Sequence, residues 1–137
     1  MNVRPMGDSD VGAVLELWQS CEGVGLSEGD TREGVVAFLA RNPGLSWVVL
    51  DQEGTVGAVL AGHDGRRGYI YHLAVRASHR HQGLGRMLVH RALHALSTAG
   101  IHKCHVMVFR DNAAGLKFWD HAGWRTRDDI VMRTKMR

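Results

Sequence analysis

Arg80-His81-Gln82-Gly83-Leu84-Gly85-Arg86 is the stretch on which the reading of this chain turns. Upstream, Tyr69-Ile70-Tyr71-His72-Leu73-Ala74-Val75 has the aromatic and β-branched content of a strand. Downstream, Leu88, Val89, Ala92, Leu93 and Leu96 recur on one side of a helix that Gly100 stops. The order is strand, glycine turn, helix. Gly83 and Gly85 let the backbone turn with no Cβ in the way of a close ligand, and the opening helix presents free N–H groups at the positive end of its dipole. An anion is expected there. Arg80 and Arg86, with His79 and His81 as further candidates, add side-chain charge that suits a di- or polyphosphate better than a single carboxylate.

Gly-x-Gly alone is also what a tight turn into a helix looks like. Two phosphate loops are excluded by residue type. A Rossmann fingerprint needs a third glycine where Leu88 stands, and a P-loop needs Gly-Lys-Ser/Thr where the chain has Gly85-Arg86-Met87. Leu73-Ala74-Val75, four residues, then Arg80-His81-Gln82-Gly83-Leu84-Gly85 closely resembles the acetyl-CoA signature of the GNAT superfamily of N-acetyltransferases, whose loop is Arg/Gln-x-x-Gly-x-Gly/Ala. The resemblance continues at Asn112, a short helix, and Phe118-Trp119-Asp120-His121-Ala122-Gly123-Trp124, where the family commonly has Asn followed by Phe-Tyr-x-x-x-Gly-Phe. It spans essentially the whole chain.

The remaining elements follow from local pattern. Asn2 to Met6 suits a first strand, and Val11, Val14, Leu15 and Trp18 fall on one helix face after Asp8 or Ser9. The glycines of the segment from Glu22 to Gly29 break the pattern, which resumes where Asp30 precedes Glu33 in a capping-box spacing. Val35, Phe38 and Leu39 then mark a second helix, ended by Asn42-Pro43-Gly44. Trp47 to Leu50 and Thr55 to Ala61 read as strands joined at Asp51-Gln52-Glu53-Gly54. The next turn, at Asp64 to Gly68, leads into Tyr69. Short turns predict an antiparallel meander, and the helical excursion after Val75 permits a parallel return at Cys104 to Phe109. A helix from Ala113 to Ala122, capped by Asp111-Asn112, and a last strand from Ile130 to Lys135 complete the set.

The expected fold class is α/β (α+β). It is a single GNAT-like domain over residues 1–137, with a mixed, mostly antiparallel sheet whose central strands splay, flanked by about four helices. A length of 137 residues with 45% apolar content suits one core, and a net charge of +3 spread along the chain points to neither nucleic acid nor a membrane surface. Cys21 and Cys104 have no metal spacing and suggest reduced thiols. With no apolar run suited to a signal sequence or span, a cytoplasmic location is expected. His90 and His94 sit four apart on one helix face, but without an assigned third ligand a solvated face is the reading, and no metal is assigned.

The resemblance implies that acetyl-CoA, a co-substrate, lies where the strand Tyr69 to Val75 parts from the strand Cys104 to Phe109. Backbone groups at Leu73 and Val75, flanking Ala74, would pair with the pantetheine arm. Amides from His81 through Gln82, Gly83, Leu84 and Gly85 to Arg86 would hold the pyrophosphate, with Arg80 beside them. Asn112 and Trp119 would stand near the cofactor. The implied reaction is direct transfer of acetyl to a primary amine, with the Leu73 backbone N–H as oxyanion donor. The segment between the first two helices would line the acceptor side, where Glu22, Glu28 and Asp30 either attract an ammonium group or form a solvated acidic loop.

The chain departs from the family pattern at two catalytic places. Trp119 stands where the family often has the Tyr that protonates the departing thiolate, and an indole is no practical proton donor. No glutamate occupies the strand positions that commonly supply the base. Period-two alternation puts Tyr69, Tyr71 and Leu73 on one face and Ile70 and His72 on the other. Tyr71 and Tyr69 are therefore the catalytic candidates, orienting water or supplying a proton, with aromatic strand packing the alternative. His72 ranks below them unless a bulge changes its parity. The rival function is a GNAT-like CoA-binding module with little catalytic activity. Partners are acetyl-CoA and an amine, small molecule or protein, and a homodimer is compatible with exposed terminal strands.

Overall fold

The computed structural model describes residues 1–137. A five-stranded sheet runs β1 (Asn2–Pro5), β2 (Trp47–Asp51), β3 (Gly54–His63), β4 (Gly68–Val75) and β5 (Cys104–Val106) in spatial as in chain order. The first four pair antiparallel, and β4 pairs parallel with β5. The crossover is α3 (Leu84–Thr98), while α1 (Val11–Ser20) and α2 (Arg32–Arg41) lie between β1 and β2 in sequence and α4 (Ala113–His121) follows β5. No helix is long and apolar enough to cross a membrane.

The chain forms two compact units, Met1–Met107 and Val108–Arg137. In the first, both sheet faces are covered. Val11, Val14, Leu17 and Trp18 from α1 and Val35 and Leu39 from α2 pack with Val48, Ala58, Leu60 and Ala74. On the other face Leu88 and Leu96 of α3 are fully buried, close enough that a Cβ on Gly57 or Gly68 would meet them. Two covered faces account for the continuous apolar run along β3, buried from Thr55 to Gly62. Each such leucine removed from water stabilises the fold by about 1.5–3 kcal/mol. The second unit holds α4, with Trp119 buried against the edges of Phe118 and Trp124.

Four local expectations are corrected. The α2 cap is Thr31, whose hydroxyl accepts from the Gly34 amide at 3.0 Å, and not Asp30. β5 ends at Val106 and does not reach Phe109, because its pairing with β4 stops at Ile70. No strand forms from Ile130 to Lys135: no element pairs with it, and Ile130, Val131 and Met132 are exposed. Most important, the alternation along β4 is broken. Ala74 pairs with Ala58 but Tyr71 with Leu60, so His72 and Leu73 together face one residue of β3, and His72 takes φ 50°. That is a β-bulge, with its extra residue outside the ladder.

Candidate active site

The bulge decides which side chains share a face. Ala74 and Tyr71 pair with Ala58 and Leu60, two apart on β3, so Tyr69, Tyr71 and Ala74 face α1 and α2, and Leu73 leaves the face that simple alternation gave it. Tyr71 stacks on Tyr69 at 6.0 Å and meets the edge of Phe38 at 6.0 Å. Burial, then the neighbouring Tyr69, pushes the Tyr71 hydroxyl above its ordinary range, so it keeps its proton at neutral pH. The bulge brings His72 to the same side, edge-on to Trp18 at 4.9 Å, with Nε2 on Asp30 Oδ1 at 2.9 Å. Trp18 itself buries an indole N–H with no partner.

On its other edge β4 is open. Only Gly68, Tyr69 and Ile70 pair with β5, so Tyr71 to Val75 have no strand partner there, and His72 and Leu73 have none on β3 either. The pairing of the two strands stops at Ile70, on the stretch where they are expected to part. A chain-like ligand with alternating donors and acceptors fits such an edge by β-augmentation.

β4 then leads into the glycine loop. The Arg76 amide donates to Val56 at 2.8 Å and fixes the exit, and a short turn over Ala77–His79 follows. His81 at φ 63° and Gly83 at φ 80° both adopt the left-handed conformation, and Gly83 is the N-cap of α3 without any side-chain cap. No protein group accepts a hydrogen bond from the amides of His81 to Arg86; the first α3 amide with a partner is Met87, on Gly83 at 3.1 Å. Unspent donors at a helix start form an anion cradle, which the residues present suit. Arg80, His81 and Arg86 are exposed around it, Arg80 Nε resting on the Val75 carbonyl at 3.1 Å. His79 is turned elsewhere: Nε2 meets Asp51 Oδ2 at 2.6 Å and Nδ1 meets Ser78 Oγ at 2.8 Å, tying the loop to the β2–β3 turn.

The cysteines are placed as structural groups. Cys21 is buried with Sγ 3.7 Å from the Val75 carbonyl, and burial raises the Cys104 thiol above its usual range. His90 and His94 are exposed. In the second unit, Asn112 spends its side-chain oxygen capping α4, on the Gly115 amide at 2.9 Å.

Sequence reasoning missed the pairing of Asp30 with His72. One is the last residue of a glycine-rich arm and the other a strand residue of the wrong parity; the bulge that joins them has no glycine or proline to announce it.

The fold and sequence both have relatives. An acetyltransferase of Yersinia enterocolitica is 29% identical over 136 residues, covering 99% of this chain and 96% of that protein. An aminoglycoside 6'-N-acetyltransferase from Acinetobacter haemolyticus superposes with a TM-score of 0.79 at 17% identity, over 99% of both chains. PaiA N-acetyltransferase from Thermoplasma acidophilum, solved in complex with coenzyme A, does so at 0.78 and 17% identity, over 93% of this chain and 91% of that one. The sequence also matches the acetyltransferase (GNAT) family model over residues 11–124. The chain belongs to that family and is an acyl-CoA N-acetyltransferase.

Proposed function

We propose that this enzyme transfers the acetyl group of acetyl-CoA to a primary amine by direct attack, within one domain spanning both compact units. The observation that carries the reading is the run of unpartnered amides from His81 to Arg86 at the start of α3, continuous with the open edge of β4. Those amides, with Arg80 and Arg86, hold the pyrophosphate; backbone groups of Leu73, Ala74 and Val75 receive the pantetheine arm. When bound, acetyl-CoA supplies the activated acetyl carbonyl. The Leu73 N–H, outside the β3–β4 ladder, is the donor for negative charge developing on the carbonyl oxygen, a type of contact worth about 3–4 kcal/mol in the transition state. Tyr71, protonated at neutral pH, supplies the proton to the departing thiolate in place of a residue at the Trp119 position. Asn112 and Trp119 are assigned to the cofactor side by family pattern.

The test is to follow thiol release from acetyl-CoA with a panel of primary amines while measuring CoA binding separately by calorimetry. Transfer with at least one amine is expected. Binding without transfer to any amine supports the second reading, a CoA-binding module, which the loss of Tyr at Trp119 favours. Gly85→Asp is the site control: a carboxylate in the first turn suits the helix dipole, so the fold survives, but it repels a diphosphate, and CoA affinity should fall at least about 100-fold. Unchanged affinity refutes the cradle.

A further inference from the structure

We propose that His72 is the general base that takes the proton from the acceptor ammonium, and that Asp30 is its positioning residue. The inference rests on the acetyl-transfer reading and supplies the base for which the strand carries no glutamate. An amine cannot attack while protonated, so the site needs a group with a free lone pair beside the acetyl carbonyl. The bulge puts His72 one residue from the proposed oxyanion donor Leu73 and turns its ring to the face lined by α1, α2 and the arm between them.

The hydrogen bond to Asp30 sets the tautomer. A carboxylate accepts, so Nε2 carries the proton and the lone pair lies on Nδ1. Nδ1 has no protein partner and is not sealed from solvent. Both side chains are mostly covered, the His72 side chain 18% exposed and Asp30 11%. Asp30 is held in turn by the Ser27 amide at 2.8 Å, and the Trp18 ring fixes the imidazole edge-on. The titratable groups facing the ring are Asp30 from the arm and Tyr71 from β4; α1 presents the uncharged Trp18. In the step, Nδ1 takes a proton from the ammonium and the nitrogen lone pair forms the C–N bond. The C–S bond breaks, the new amide nitrogen releases its second proton to water, the thiolate takes a proton from Tyr71, and the imidazolium returns its own to the tyrosinate through water.

The test compares wild type, His72→Gln and Asp30→Asn, with spermidine, neamine and an alanyl peptide as amine probes and CoA binding measured in parallel. His72→Gln should lower kcat about 100- to 1,000-fold with unchanged CoA affinity, and abolish the rise of kcat/KM with pH. Asp30→Asn should cost about 10-fold in kcat, and ¹⁵N spectra of the ring should lose the single Nε2–H tautomer expected in wild type. Transfer by His72→Gln within twofold of wild type, or a pH rise that survives the substitution, overturns the assignment and leaves the acetyl-transfer reading standing. A wild-type ring protonated on Nδ1 at neutral pH also overturns it. Absence of transfer to every probe with CoA binding intact refutes the transfer reading itself, and His72 as base falls with it.

Discussion

Tyr71 shows how a residue's environment sets its chemistry. On a bare strand it is an aromatic that packs; between Tyr69 and Phe38, partly desolvated, it becomes a hydroxyl that holds its proton more firmly than free tyrosine. As the proposed general acid it must be protonated to act, so its contribution should persist through the ordinary tyrosine range and be lost only above it. Tyr71→Phe keeps the ring contacts and removes only the proton. It should lower kcat about 100-fold with CoA affinity unchanged, read from steady-state rates beside calorimetry. A loss confined to KM would mean that the hydroxyl binds substrate without donating.

At the scale of elements, the arm between α1 and α2 and the start of α2 act together. Gly34 lies in the first turn of α2, where alanine would ordinarily gain about 1 kcal/mol in helix propensity. Here a Cβ would collide with the Gly29 carbonyl, a backbone atom adjoining Asp30. The arm has to move, and overpacking of this kind costs about 1–3 kcal/mol. Gly34→Ala should therefore lower stability in urea titrations, and lower kcat through the displaced Asp30–His72 pair. A stabilised variant with full activity would show that the arm yields without consequence. β4 is the other deciding element: its bulge leaves His72 and Leu73 outside the β3 register and swings His72 to the face of α1, while its pairing with β5 stops at Ile70.

For the whole molecule, the link between fold and charge is clearest at Arg4 and Asp10. The guanidinium makes two bonds to the carboxylate, at 2.7 and 2.8 Å, and Asp10 also accepts from the Gly7 amide, so β1 is clamped to the turn that opens α1. Bonding to Arg4 first, against burial and with help from Gly7, holds the Asp10 carboxyl below its ordinary range. A depressed folded value means that the contribution is complete above the unfolded value near 4 and disappears as pH falls through the folded one. Asp10→Asn should cost about 1–2 kcal/mol at pH 7, the low end of a charged bond network because the Arg4 side chain is 39% exposed. The two proteins should converge in stability toward pH 2. A constant gap from pH 7 to 2 would show that the charge is irrelevant.

Local chemistry was enough to read the glycine loop, the helix that follows it, the meander and the single parallel return, since each depends on turn residues, periodicity or connection length written in adjacent positions. The family followed from the same stretch, with Asn112 and Phe118 to Trp124 in support. Ile130 to Lys135 misled for the complementary reason: β propensity makes a strand only when another strand accepts its hydrogen bonds, and none does. The fate of Asp30 was likewise undecidable locally, because a carboxylate before a helix can cap it or reach elsewhere, and Thr31 took the cap. Sequence by itself determined where the glycine loop opens α3 with its amides unspent. Tertiary structure alone decided which side chains of β4 face α1 and α2, because one extra residue opposite Val59 reverses the parity of everything beyond it, and that insertion is defined only by the strand alongside.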